Sequence, residues 1–142
     1  MRVPACLFCT IVAGEQPADV VLDTAEAVAF LDHRPVFPGH CLLVPREHYE
    51  TLTDLPPALV GSFFLTAQRL ARAVEAGMGA DGTFVAMNNR ISQSVPHFHV
   101  HVVPRRRKDG LRGFFWPRLR YGSDDERADV ADRIRKAVAE VS

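Results

Sequence analysis

Gln93-Ser94-Val95-Pro96-His97-Phe98-His99-Val100-His101-Val102-Val103 alternates three histidines with bulky apolar residues. Alternation at period two marks a half-buried strand, because successive side chains on an extended backbone point to opposite faces. Residues 97–103 therefore read as a strand with His97, His99 and His101 in a row on one face and Phe98, Val100 and Val102 on the other. Aligned imidazoles can coordinate a metal, move protons or attack phosphorus. The plainer reading is a polar strand face with incidental histidines. Against it, half of the chain's six histidines fall at this one spacing.

On either side of this strand the pattern alternates between strand and helix. Thr83-Phe84-Val85-Ala86-Met87 predicts a strand, joined to the histidine strand by the short polar connection 88–92. Pro104 is expected to break the ladder. Upstream, Leu59, Val60, Phe63, Ala67, Leu70, Ala71 and Val74 give the stripe of a long amphipathic helix over about 55–76. Thr53 or Asp54 would cap it, Pro56 and Pro57 suit its first turn, and Gly77 and Gly79 would end it. Val20–Leu22, Ala27–Leu31 and Cys41–Val44 predict three short strands. Their connections are too short for parallel crossovers, so an antiparallel meander is the simplest arrangement. The class is α+β.

Downstream, Arg105-Arg106-Arg107-Lys108 reads as a solvated turn, or as a phosphate-holding cluster near the histidine row. Leu111 to Tyr121 is aromatic and basic without a clean period. It either packs on its own domain or forms a pocket wall or dimer contact. Ser123 to Glu126 is a capping box, and Val130, Ile134, Ala137, Val138 and Val141 line one face of a C-terminal helix.

The chain has 142 residues, enough for one domain with a real core, with no internal repeats or linker. Lys+Arg and Asp+Glu balance at 17 each, so bulk charge gives no footprint for nucleic acid, and any anion site must be local. No apolar run has the length of a signal peptide or membrane span, which makes the cytoplasm the expected compartment. Three cysteines, Cys6, Cys9 and Cys41, are too few for a disulfide framework. Cys6-Leu7-Phe8-Cys9 is either a pair of ordinary thiols or half of a zinc knuckle whose other ligands lie elsewhere; no thioredoxin-like context supports a redox pair. Cys41, inside a strand, reads as a small core residue.

The segment Gln93 to Val103 resembles the signature of the histidine triad (HIT) family, His-φ-His-φ-His-φ-φ with φ apolar. Ala29-Phe30-Leu31-Asp32-His33-Arg34-Pro35, then Pro38-Gly39-His40 to Pro45, and Arg46-Glu47-His48 resemble its second block. The likeness runs from about Cys6 to Pro104. It implies a HIT-like fold, a five-stranded antiparallel sheet with one long helix packed on it, here with a C-terminal helix added: a single domain over 1–142 with a core of about 6–104. It also implies a homodimer through the helix at 55–76 and the strand at 83–87, which would cover open sheet edge and apolar helix surface.

The resemblance further implies a nucleotide hydrolase or transferase that works through a nucleotidyl-histidine. His99 would be the nucleophile and His101 a donor to the phosphoryl oxygens. Ser94 would be a candidate proton donor to the leaving group, and Gln93 would reach the phosphate or leaving group. Asp32 would accept from the ribose hydroxyls; read alone, it is equally a turn-forming Asp. Phe8, Ile11, Phe30 and His33 match positions that line the base pocket of a purine nucleotide, and Asn88 a position that touches phosphate or ribose. Cys6, Cys9, His48 and His97 match the ligand set of the zinc-binding bacterial branch, a closed structural Zn2+ site. Two competing functions remain: a nucleotide-binding regulatory module with little turnover, and a metalloenzyme using all three triad histidines as ligands. Among substrates, dinucleoside polyphosphates stand beside nucleoside phosphoramidates or adenylylated compounds, with the cations and aromatics of Pro104 to Tyr121 slightly favouring the first.

Overall fold

The structure, a computed structural model, describes residues 2–112 and 118–141. The chain divides into two compact units, Met1–Asp109 and Gly110–Ser142. The first carries helix α1 (Leu7–Val12), strands β1 (Val20–Asp23), β2 (Ala27–Leu31) and β3 (Cys41–Pro45), helix α2 (Pro57–Met78), and strands β4 (Gly82–Ala86) and β5 (Val100–Arg105). The five strands form one antiparallel sheet in the order β1-β2-β3-β5-β4. The architecture is α+β, and the first three strands run as a meander, as expected. After β3 the chain crosses through α2 to the far edge and returns, so that β5 sits between β3 and β4.

Sequence pattern explains the layers. In α2, Phe63, Ala67, Leu70 and Val74 are buried at spacings of four and three, one stripe of a 3.6-residue helix. That stripe packs on Ala27, Ala29, Leu43, Phe98, Val100 and Val102. The alternate residues Val28, Phe30, Leu42 and Val44 face the other way and form a second cluster with Cys6, Phe8 and Cys9. The β3 strand is buried at all five positions because both of its faces are covered. Phe63 and Phe98 are fully buried with ring centroids 5.4 Å apart, and such a side chain contributes about 1.5–3 kcal/mol by leaving water. Pro57 takes the first helical position, where its missing N–H is harmless, and Gly79 closes the helix at φ 58°. Gly77 lies inside the helix, and the cap expected at Thr53 or Asp54 is replaced by a separate 3₁₀ turn, Leu52–Asp54, boxed by Thr51.

Two boundaries at the histidine strand differ from expectation. The regular ladder starts at Val100 rather than 97, because Phe98 N–H donates to Tyr49 O at 2.6 Å instead of to a neighbouring strand. It also continues through Pro104, which pairs with Thr83, two residues past the last β3 partner, Val102. There β5 has a neighbour on one side only, so the absent N–H costs nothing. The strand thus carries the cations away from the histidines. Arg105 is paired to Asp109, and the Arg106 guanidinium donates to the Met78 carbonyl at the end of α2. These two cations serve the fold, and residues 106–108 are exposed with 107–108 in a turn, which matches the solvated reading.

In the second unit, helix α3 (Asp124–Glu140) begins at Ser123, whose Oγ accepts from Glu126 N–H at 3.0 Å. The Glu126 carboxylate reaches back to Gly122 N–H rather than to the cap residue itself, and three acidic residues in the first turn complement the helix dipole. The aromatic-basic segment read at Leu111 to Tyr121 includes residues 113–117, which lie outside the described residues.

Candidate functional site

Two side-chain clusters lie on the sheet face opposite α2, and they divide the histidine row. The first joins Cys6, Cys9, His48 and His97, whose four donor atoms all lie within 4.8 Å of one another. Cys6 caps α1 and Cys9 sits in its first turn, so both thiols project from one end of a six-residue helix. The Phe98–Tyr49 backbone bond draws His48 alongside His97, and the two rings stand 4.9 Å apart and nearly perpendicular. Sγ of Cys9 is 3.3 Å from Nδ1 of His48, and Nδ1 of His97 is 3.4 Å from Sγ of Cys6 and 3.6 Å from Sγ of Cys9. A tetrahedral zinc with its usual bond lengths separates sulfur and nitrogen ligands by about 3.5 Å. The tautomer also suits a metal: the Nε2–H of His97 donates to Pro45 O at 2.9 Å, which leaves Nδ1 bare toward the thiols. Burial pushes the His97 imidazole down to about 4, so it is neutral at pH 7. The donor set therefore fits a closed structural Zn2+ site. Helix α1 itself has no periodicity to announce it, and its six residues are held by burial of Phe8 and Cys9.

The second cluster is a relay of hydrogen bonds. Val36 N–H donates to Nδ1 of His40 at 3.1 Å. A neutral His40 must then carry its proton on Nε2, which lies 2.9 Å from Nδ1 of His101. His101 accepts there and keeps its own proton on Nε2. Asp32 Oδ2 stands 3.7 Å from His40 Nε2, near enough to act by charge but beyond a hydrogen bond. Asp32, His40 and His101 could group around a cation by distance alone. The proton that Val36 fixes on His40 Nε2 removes that ligand, so Val36, His40 and His101 form a proton-ordered relay with the Asp32 carboxylate beside it.

His99 stands between the clusters. Its Nδ1–H donates to the carbonyl of His97 at 2.7 Å, which leaves the lone pair on Nε2. The ring is packed edge-on by Phe8 at 5.0 Å and 88°. A cavity of about 510 Å³ opens beside it. His99, His101 and Ser94 border this cavity together with Asp32, and Phe8, Ile11, Phe30 and His33 line it. Sequence reasoning singled out all eight.

The structure does not bring Asn88 and Gln93 to the cavity wall. The Gln93 side chain is committed at both ends, donating to Glu50 O at 2.6 Å and accepting from Arg90 N–H at 2.9 Å. Its role is to hold a tight loop in which Arg90 and Ser92 both adopt positive φ. Asn88 is exposed, and its neighbour Asn89 accepts from Leu52 N–H at 2.7 Å. Asp32 is a turn residue, its Oδ1 accepting from Arg34 N–H at 2.9 Å, and it also borders the cavity. Sequence reasoning missed His40 as a member of the site. Gly39 before it, at φ 96°, packs against Met78: a Cβ there would meet Cγ of Met78 at 2.7 Å. Gln16 and Asp19, which border the cavity from the segment after α1, were also missed; nothing in their local sequence marks them.

The buried imidazoles make a pH prediction. Burial lowers His40 and His99 and takes His101 down to about 4 from an ordinary value near 6.5. Between those values the unfolded chain binds more protons than the folded one, so stability rises with pH there. The melting temperature is expected to be flat above pH 7 and to fall steadily from about pH 6.5 toward 4. A scan of melting temperature against pH that is level through that window would contradict it.

Residues 13–108 match the profile of the HIT domain. An uncharacterised HIT-like protein of Mycobacterium tuberculosis is 38% identical over 137 residues, 95% of this chain and 94% of that one. The adenosine 5'-monophosphoramidase of Saccharomyces cerevisiae is 38% identical over 110 residues, 75% of this chain and 67% of that one. Among solved structures, a zinc-bound histidine triad family protein of Mycobacterium smegmatis superposes with a TM-score of 0.72 at 36% identity, covering 93% of this chain and 97% of that one.

Proposed function

Because this chain belongs to the HIT family, we propose that it is a nucleotide hydrolase that cleaves at the α-phosphate through a covalent nucleotidyl-histidine on His99. One observation carries the reading: a His99 whose Nδ1 proton is held by the His97 carbonyl, on the wall of a cavity that also presents His101, Ser94 and Asp32. The relative named as an adenosine monophosphoramidase supports the substrate class. In this reading Nε2 of His99 attacks the α-phosphorus and forms a P–N bond. The bond to the leaving group breaks, and the leaving atom takes a proton, with Ser94 as its donor. The His101 Nε2–H, oriented by His40, donates to the phosphoryl oxygens as they gather charge. Water then attacks phosphorus and returns its proton to Ser94, the P–N bond breaks, and the monophosphate leaves with His99 neutral again.

Asp32 accepts from the ribose hydroxyls through the carboxylate oxygen that the turn leaves free, and Phe8, Ile11, Phe30 and His33 surround the base. Zinc held by Cys6, Cys9, His48 and His97 supplies a structural cross-link and no reacting group. A homodimer is part of the same reading, supported by the open edge at β4, where Val85 is 46% exposed, and by the exposed Leu65 of α2. Among the described residues no helix is long and apolar enough to cross a membrane.

The activity is tested by incubating the protein, without added divalent cation, with a fluorogenic adenosine phosphoramidate and with diadenosine polyphosphates. Release of AMP is expected from the phosphoramidate, with no stimulation by magnesium. Tight AMP binding with no turnover of either class would replace the hydrolase with a binding module.

A further inference from the structure

Helix α1 has two jobs in this fold. Its thiols make half of the metal cluster, while Leu7, Phe8 and Ile11 make one wall of the cavity. Phe8 lies between the two cysteines, edge-on to His99 at 5.0 Å and to His97 at 6.0 Å. His97 has the same double duty from the other side, with Nδ1 facing the thiols and its carbonyl fixing Nδ1–H of His99 at 2.7 Å.

We propose that a metal at Cys6, Cys9, His48 and His97 and a nucleotide in the cavity bind cooperatively, with the metal cluster acting as the positioning element for Phe8 and His99. The proposal rests on the zinc and nucleotide readings above. A helix of six residues does not hold its shape alone. The backbone hydrogen bonds shown by Cys6, Thr10, Ala13, Gly14 and Gln16 close on the segment itself. What ties α1 to the sheet is therefore side-chain burial and the two thiols. Without metal the thiols reach His48 and His97 through sulfur–imidazole contacts of 3.3 to 3.6 Å, the weak kind of hydrogen bond. A metal replaces these with coordination bonds and holds Phe8 against His99. A base packed on Leu7, Phe8 and Ile11 holds α1 down from the cavity side and so retains the metal. The two effects are one coupling free energy, so each ligand raises the other's affinity by the same factor.

The test measures AMP binding by calorimetry to zinc-loaded and zinc-free protein, and zinc extraction by a chromophoric chelator with and without AMP. Zinc-free protein is expected to bind AMP about tenfold more weakly, within the usual range of such couplings, and AMP to tighten zinc by the same factor. Phe8→Leu should keep zinc but bring both factors toward one. This variant also covers the case in which zinc-free protein unfolds. Protection by global stability would be the same in Phe8→Leu at equal AMP saturation, whereas protection through α1 would be lost. Zinc and AMP that both bind with a factor of one overturn the cooperativity alone. A chain that binds no zinc overturns the zinc reading and this proposal with it, and loaded protein that ignores AMP overturns the nucleotide reading and this proposal.

Discussion

His99→Ala is expected to lower kcat/KM on a fluorogenic adenosine phosphoramidate by about 10⁴-fold or more, roughly 5.5 kcal/mol of transition-state stabilisation. The size follows from the role. A residue that only binds phosphate loses about 10²–10³-fold on removal, the cost of one oxyanion donor, and that is the expectation for His101→Ala. A residue that forms the bond to phosphorus leaves nothing to replace it except water. His99 is the triad member whose proton is fixed away from the cavity, by a 2.7 Å bond to the His97 carbonyl, so that no general base is needed to expose its lone pair. Burial also lowers its basicity, which keeps it neutral at pH 7. Mass spectrometry of acid-quenched wild type should show one nucleoside monophosphate added per chain during turnover, absent in the variant. Circular dichroism would confirm that the variant folds. A folded His99→Ala with activity within tenfold of wild type would remove the covalent reading. A metalloenzyme with three equivalent histidine ligands predicts a different pattern, in which alanine at 97, 99 or 101 costs the same and added chelator costs as much.

That separation of roles was only partly legible in the sequence. Period-two alternation correctly put Phe98, Val100 and Val102 in the core beneath α2, because facing is a local property of extended backbone. The extent of the ladder was not legible, since the Phe98 N–H goes to the carbonyl of Tyr49, which precedes it by nearly fifty residues. His40 escaped for the same reason. It sits 61 residues from His101, and its part in the relay depends on the Val36 amide, which no spacing rule anticipates. Gln93 differs in the opposite sense, lying off the cavity wall. Its place beside Ser94 invites a ligand role, but a tight loop with two non-glycine residues at positive φ takes both ends of its amide. The cations at 106–108 lie in an exposed turn, as the run of charge suggests, but the strand end was set early, at Pro104. An edge position with one neighbour lets the strand run on and delivers Arg106 to the end of α2. Chemistry that needs one element could be read in advance, and chemistry that needs three elements to meet could not.

The Cys6, Cys9, His48 and His97 cluster is where three elements meet most consequentially, and Cys6→Ser is expected to remove about one zinc per chain and lower the melting temperature by about 8–16 °C. Metal in thousandfold excess over its dissociation constant adds about 4 kcal/mol to folding, and each kcal/mol moves the melting point of a chain this size by about 2–4 °C. Serine is chosen because Sγ of Cys6 also caps α1, accepting from Cys9 N–H at 3.5 Å, and a hydroxyl keeps that acceptor. The loss then reports the metal rather than the cap. Burial pushes the Cys6 thiol up, so without a cation it stays protonated and adds no charge to the cluster. Cys41 is the control. It is as buried, at 3% exposed, but it belongs to the α2 side of the sheet, and its Sγ faces the Gly39 carbonyl. Cys41→Ser should cost stability through packing while zinc remains at one per chain, whereas Cys6→Ser should lose zinc and become indifferent to chelator. Wild type stripped by chelator should melt where Cys6→Ser melts. If the wild type carries no zinc and melts at the same temperature with or without it, the four donors are held together by packing alone.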